Sequence, residues 1–147
     1  MSLQIQSNVS LKPFNTFGVD VRARLFAEAH NDNDVREALA YSAAHKVELL
    51  VIGGGSNLLL SKDLDVLVLR MASRGIRIIH EDCEAAIVEA EAGEPWHPFV
   101  QEMLARGLSG VENLSLIPGT VGAAPIQNIG AYGVELKDVF HSLVALD

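Results

Sequence analysis

The sequence has 147 residues, of which 49% are hydrophobic and 20% charged, a balance sufficient for one compact domain with a buried core. Eleven Lys and Arg against nineteen Asp and Glu give a net charge of -8, which argues against a nucleic-acid surface or a lipid-binding patch, because both need clustered cations. Any anionic ligand must therefore be held mainly by backbone N–H groups, with one or two local cations.

The first part of the chain has the pattern of a strand, a helix and a second strand. Residues 21–29 form a predicted strand. Asn31-Asp32-Asn33-Asp34 supply N-cap side chains and negative charge at the start of a helix that we expect to end near Lys46. The run Leu49-Leu50-Val51-Ile52 is continuously apolar, which predicts a strand covered on both faces. This order indicates an α/β unit.

The rest of the chain predicts a mixed arrangement of strands and one helix. Strands are expected at residues 66–69, 76–79 and 86–90. From Pro95 to Gly107 the apolar residues recur at helical spacing, which predicts an amphipathic helix and favours core packing over cofactor contact for Trp96 and Met103. Residues 139–146 alternate like a strand. Because a terminal strand needs partners, we expect the natural protein to continue.

The single cysteine and the N-terminus bear on the compartment of the protein. Cys83 cannot form an internal disulfide, and His80-Glu81-Asp82-Cys83 lies between two predicted strands, which favours a solvated turn over a metal site. Met1 to Gln6 lack the pattern of a signal peptide, and no run has the apolar length of a membrane span. We therefore expect a cytoplasmic protein with no metal site and no membrane or nucleic-acid partner.

Gly53-Gly54-Gly55-Ser56-Asn57, the glycine loop, directly follows the predicted strand at residues 49–52. Glycines without Cβ atoms let a diphosphate approach the backbone, and consecutive N–H groups in such a turn form an anion-binding nest. The spacing is not the dinucleotide fingerprint, because Leu58 stands at the position of its third glycine, and no P-loop sequence follows. A plain tight turn is the alternative for this loop.

A second candidate segment runs from Leu116 to Gly133 without a charged residue. Small residues and glycines alternate with apolar ones, so a flat aromatic ring can lie against the segment while backbone N–H groups meet its heteroatoms. Thr120, Gln127 and Asn128 supply a few directed polar contacts, as ligand pockets usually do. A buried connecting segment is the alternative, but so many glycines would weaken a segment that only had to pack.

Three runs of sequence together resemble the UDP-N-acetylenolpyruvoylglucosamine reductase family. They are Leu11-Lys12-Pro13-Phe14-Asn15-Thr16-Phe17-Gly18, the glycine loop, and the run from Glu112 through Ile117-Pro118-Gly119 to Glu135. The runs occur in the family's order and span nearly the whole chain. The first two also fit the FAD domain of vanillyl-alcohol-type oxidases, whereas the third points to the reductase.

The resemblance implies an α/β (α+β) fold of the vanillyl-alcohol-oxidase or PCMH type, with a small βαβ subdomain followed by a second mixed α+β subdomain. Residues 1–18 would be a leader and 19–147 an incomplete FAD-binding domain, with the substrate-binding domain outside this chain. Asn15, Thr16 and Phe17 would be mainly structural. The implied cofactor-binding residues are Gly53, Gly54, Gly55, Ser56, Asn57, Ile117, Pro118, Gly119, Gly122, Ala123, Ala124, Gly130, Tyr132 and Gly133.

The resemblance also implies the reaction. NADPH reduces a non-covalently bound FAD, and the flavin passes a hydride to the enolpyruvyl double bond of a UDP-sugar to give UDP-N-acetylmuramate, a peptidoglycan precursor. The family's catalytic Arg, Ser and Glu lie beyond this segment, so we expect no catalytic residue here, no activity, and weak FAD binding or aggregation of the chain alone. Two alternatives are the FAD domain of another vanillyl-alcohol-type oxidoreductase and a non-catalytic nucleotide-binding module.

Overall fold

The computed structural model describes residues 3–146, which divide into two compact units after Arg74. Unit 1 ends at Arg74 and unit 2 begins at Gly75. The elements of unit 1 are β1 (Gln6–Ser10), β2 (Arg22–Ala29), α1 (Asp32–His45), β3 (Leu49–Ile52) and β4 (Leu64–Met71). Those of unit 2 are β5 (Ile76–Glu81), β6 (Ala86–Ala90), α2 (Trp96–Ala105), α3 (Ala124–Gln127), β7 (Gly130–Ala131) and β8 (Val134–Glu135).

Unit 1 is built on a four-stranded sheet in the order β1-β2-β4-β3. β2 and β3 both run parallel to β4, whereas β1 pairs antiparallel with β2. Both faces of β4 are covered, because Leu67 and Leu69 pack in one cluster with Ala38 of α1. Val68 packs in a second cluster with Leu11. The predicted βαβ arrangement of the first part of the chain is confirmed.

The helix α1 begins and ends as its sequence predicts. The side chain of Asn31 accepts a hydrogen bond from the N–H of Asp34 at 3.0 Å, and the carboxylate of Asp34 accepts one from the N–H of His30 at 2.8 Å. These bonds satisfy N–H groups that have no partner inside the helix. At the other end, Lys46 adopts the left-handed conformation with φ of 52° and stops the helix.

Two features of the sheet differ from the prediction. β1 lies within the expected leader and was not predicted, because its sequence Gln-Ser-Asn-Val-Ser is polar; Arg22 of β2 holds it by donating to the side chain and carbonyl of Asn8. β3 was expected to be covered on both faces, and this prediction is wrong. It is an edge strand whose Val51 is 54% exposed. A continuous apolar run does not distinguish an edge strand from a central one.

The hairpin of β5 and β6 opens unit 2 and ends in the predicted polar turn. Asp82 accepts the N–H groups of Glu84 and Ala85 at 2.8 and 2.9 Å. These two bonds, with a weaker contribution from His80, hold the pKa of the Asp82 carboxyl below its usual value. Among residues 3–146, no group of three His, Cys, Asp or Glu side chains is placed to hold a metal ion.

The helix α2 supplies the core of unit 2. Trp96, Phe99, Val100 and Met103 are all buried, and they pack with Leu114, Ala124 and Leu136. The core position predicted for Trp96 and Met103 is confirmed. No helix in the described part of the chain is long and apolar enough to cross a membrane.

Residues 139–146 do not form the strand that their alternating sequence predicts, and this prediction is wrong. The described chain has no strand after β8, and Phe140, Leu143 and Val144 remain exposed, the last at 96%. Alternation marks two faces, but a strand also needs a neighbour that accepts its backbone hydrogen bonds. With its small βαβ part and its mixed second part, the chain has the α/β class that was predicted.

Candidate cofactor-binding segments

The glycine loop begins directly after Ile52, the last residue of β3. Gly54 and Asn57 are exposed, whereas Gly53 and Ser56 are half-buried. Within residues 3–146, no protein acceptor receives a hydrogen bond from the backbone N–H groups of the loop. Free N–H groups after a parallel strand are what an anion nest needs, and the nest itself stays a prediction.

Gly55 differs from its neighbours because it is buried and left-handed, with φ of +65°. A Cβ atom at this position would lie 1.9 Å from the carbonyl oxygen of Phe14. The carbonyl of Gly55 also accepts the N–H of Thr16 at 3.2 Å. Only glycine fits here, and its contacts join the loop to the motif at residues 11–18.

Asn15 organises that motif. Its side-chain amide donates to the carbonyls of Leu11 and Val19 at 2.7 and 3.0 Å, and its oxygen accepts the N–H of Val19 at 3.0 Å. The side chain is buried, so these bonds replace water that it has lost. The structural role expected for Asn15 is confirmed. Phe17 is 67% exposed and has no comparable packing role.

In unit 2, the start of α2 holds the second candidate segment. The indole N–H of Trp96 donates to the carbonyl of Leu114 at 2.7 Å, and its backbone N–H donates to the carbonyl of Gly119 at 3.0 Å. Thr120 forms a bridge with Pro95, the N-cap residue of α2. The segment is therefore fixed by the same helical turn at several points.

Gly122 allows the segment to approach the chain just before α2. Its N–H donates to the carbonyl of Ala92 at 2.9 Å, and a Cβ at Gly122 would lie 2.6 Å from the Cβ of Ala92. Close packing within unit 2 therefore requires glycine at this position, whether or not a ligand is bound.

Four of the proposed cofactor-binding residues line a small cavity of about 10 Å³. This volume accommodates about one water molecule, so the cavity itself is too small for a flavin ring. The hydroxyl of Thr120 faces this buried region and has no hydrogen-bond partner among the described residues. The lining consists of Pro118, Gly119, Ala123 and Ala124 with Trp96, Thr120, Gln127 and Ile129.

The end of the segment is a tight hairpin. β7 and β8 are joined by Tyr132 and Gly133, whose φ angles are +52° and +80°. Positive φ at both central residues is the type I′ geometry that two-residue hairpins prefer. Tyr132 is 89% exposed, and Gly130 and Gly133 border an open groove. The ring of Tyr132 is therefore available for contact with a ligand.

The cations of unit 2 are already paired with carboxylates. Mutual pairing lowers the pKa of Glu135 and raises that of Lys137. A negatively charged ligand bound by this unit would therefore meet main-chain N–H groups more readily than free positive charge. The three pairs are Arg77–Glu89, Arg106–Glu102 and Lys137–Glu135.

The structure thus places the residues of the glycine loop in unit 1 and the remaining candidates in unit 2. Within unit 2 it brings Pro118, Gly119, Ala123 and Ala124 together at one cavity, while Gly130, Tyr132 and Gly133 lie on the hairpin. Ile117, just before Pro118, is half-buried. The sequence did not reveal that the first turn of α2 holds the segment, since such contacts join distant residues.

The chain is similar to UDP-N-acetylenolpyruvoylglucosamine reductases from several bacteria. The chain is 82% identical over 147 residues to the UDP-N-acetylenolpyruvoylglucosamine reductase of Pseudomonas syringae pv. syringae, of which it covers 43%. It is 68% identical over 147 residues to that of Pseudomonas aeruginosa, again covering 43%. The crystal structure of the Thermus caldophilus reductase matches with a TM-score of 0.69 and 28% identity over 92% of this chain and 46% of that one.

The chain spans less than half the length of the curated relatives it matches. The model of the FAD binding domain family matches residues 23–147, which include the glycine loop and the whole of the second candidate segment. The resemblance drawn from the three sequence runs is confirmed by these matches. The chain belongs to the FAD binding domain family.

Proposed function

We propose that this chain is the FAD-binding part of an NADPH-dependent reductase that converts UDP-N-acetylglucosamine enolpyruvate to UDP-N-acetylmuramate in peptidoglycan synthesis. The observation that carries the proposal is the 82% identity over all 147 residues with a UDP-N-acetylenolpyruvoylglucosamine reductase. Identity of this extent includes both candidate segments, and FAD is the cofactor of the family to which the chain belongs.

The residues present are suited to binding FAD through backbone N–H groups and uncharged side chains. The exposed Gly54 and the free N–H groups of the glycine loop suit the diphosphate, because phosphate oxygens need close approach to backbone donors. The segment from Ile117 to Gly133 would lie along the ring system. The bound flavin would supply hydride transfer, while these residues bind and orient it and exclude water.

The remaining parts of the proposal concern the longer protein. NADPH and the UDP-sugar would be its small-molecule partners, and its catalytic groups and substrate-binding domain would lie outside this chain. Residues 19–147 would form most of a PCMH-type FAD domain that binds its cofactor non-covalently, since neither candidate segment has a His or Cys. We place the protein in the cytoplasm, where NADPH and the nucleotide sugar are made.

The proposed reaction can be tested in the chain extended to the length of its curated relatives. We expect the purified protein to be yellow and to oxidise NADPH over many turnovers only when UDP-N-acetylglucosamine enolpyruvate is present, because without that substrate NADPH can reduce the bound flavin only once. The measurement is the loss of NADPH absorbance under anaerobic conditions, with product identified by mass.

The control for that assay replaces the sugar nucleotide by UDP-N-acetylglucosamine, which lacks the enolpyruvyl double bond and should allow no loss of NADPH beyond the one equivalent that reduces the flavin. A flavin spectrum with no response to the enolpyruvyl sugar, and with rapid oxygen consumption in a parallel aerobic assay, would favour an oxidase of the vanillyl-alcohol type. A colourless protein without flavin would contradict the FAD assignment as well.

A further inference from the structure

His97, in the first turn of α2, makes a contact that the proposed function does not use. Its Nδ1 atom lies 3.2 Å from the backbone nitrogen of Leu116 and 3.1 Å from the hydroxyl oxygen of Ser115. A backbone N–H can only donate, so Nδ1 is the unprotonated acceptor and the ring proton belongs to Nε2. The Leu116 contact thus fixes the tautomer.

Leu116 needs such a contact because its own conformation is unfavourable. Its φ of +64° lies in the left-handed region, which leucine rarely occupies. The side chain is 76% exposed, so burial does not compensate for this backbone conformation. The hydrogen bond to His97 is a direct restraint on that backbone.

The position of Leu116 matters because the second candidate segment starts there. Trp96 fixes the carbonyl of Leu114 before it and the carbonyl of Gly119 after it. Between these two anchors, His97 holds the residue whose φ angle sets the direction in which the chain enters Ile117 and Pro118. A change at Leu116 would therefore move the residues proposed to contact the flavin.

We propose that His97 is a positioning residue for FAD binding, acting through Leu116. Its Nδ1 accepts the N–H of Leu116, holds this residue in the left-handed conformation, and so places the backbone of residues 117–119 before the cofactor arrives. The effect is one of preorganisation, because a segment already in its bound conformation loses less entropy when the ligand binds. This inference rests on the proposed function, since it concerns the same cofactor.

The test uses FAD titration, followed by flavin fluorescence, of the chain extended to the length of its relatives. His97→Ala removes the acceptor and should weaken FAD binding roughly tenfold, the effect of losing one good hydrogen bond. His97→Asn is the matched variant, because its side-chain oxygen lies close to the place of Nδ1. It should remain within about threefold of the original protein.

A second variant separates positioning from simple loss of stability. Leu116→Gly allows positive φ without strain, so the restraint from His97 becomes less important. In that background His97→Ala should weaken FAD binding by no more than about twofold, a non-additive result that reports direct coupling of the two residues. Melting temperatures of the cofactor-free proteins are measured in parallel.

The outcomes separate this inference from the function on which it rests. If the unmodified protein binds no FAD, the proposed function fails. If it binds FAD and His97→Ala binds equally well, or if His97→Ala and His97→Asn weaken binding equally, the positioning role is overturned. The positioning role would also be overturned if His97→Ala lowered the affinity for FAD by the same factor with either Leu or Gly at residue 116.

Discussion

Gly55→Ala should destabilise the chain by at least about 3 kcal/mol, the largest effect we expect from a single methyl group in unit 1. The added Cβ would lie 1.9 Å from the carbonyl oxygen of Phe14 and 2.9 Å from Cα of Asn15. Both atoms belong to backbone that Asn15 and its hydrogen bonds hold in place. The measurement is chemical denaturation, without cofactor, of the chain extended to the length of its curated relatives.

Gly18→Ala is the matched control for this substitution. Gly18 has φ of +63°, nearly that of Gly55, but a Cβ there meets nothing within 4 Å. Gly18→Ala should therefore lower the free energy of unfolding by only about 1–2 kcal/mol, the cost of placing alanine in the left-handed conformation. Equal unfolding free energies for the two variants would mean that the loop does not pack on residues 14 and 15 as the structure shows.

Gly54→Val should have the opposite effect to Gly55→Ala. It should lower the affinity for FAD strongly and change the free energy of unfolding little. Gly54 is exposed and does not have positive φ, so we expect valine at this position to change the free energy of unfolding little. Its branched side chain would nevertheless cover N–H groups that phosphate oxygens must reach. Because each lost bond to a charged group contributes about 1.5–3 kcal/mol, we expect affinity for FAD to fall about a hundredfold.

The comparison for Gly54→Val is Ser61→Val, which places the same side chain at an exposed position beyond the glycine loop. Its FAD affinity and melting temperature should both stay near those of the original protein. If Gly54→Val leaves the FAD dissociation constant unchanged in a calorimetric titration, the glycine loop does not bind the diphosphate.

Features that depend on neighbouring residues could be predicted from the sequence. Asn31 caps α1 because its side chain reaches an N–H only three residues away. The glycine loop follows β3 because glycines end a strand and permit the left-handed turn that Gly55 makes. The core face of α2 follows from helical spacing alone. In each case the physical cause lies within a few residues of the effect.

Features that depend on a distant partner could not be predicted. β1 is polar, and it is a strand because β2 accepts it as a neighbour. Residues 139–146 alternate correctly, yet they form no strand, since pairing requires a second strand. The contact of His97 with Leu116 joins residues whose patterns gave no sign of each other. The glycines indicate the candidate site, but they do not indicate that Trp96 and His97 of α2 hold its second segment.

The most direct test of the account is a crystal structure, with FAD bound, of the chain extended to the length of its curated relatives. We expect diphosphate oxygens within about 3 Å of backbone nitrogens of the glycine loop, with the flavin ring along residues 117–133. Backbone nitrogens should make most of the contacts with the phosphates, with at most one or two Lys or Arg side chains of this chain beside them. A diphosphate held instead by such cations, or lying away from residues 53–57, would contradict the claim that main-chain N–H groups bind it.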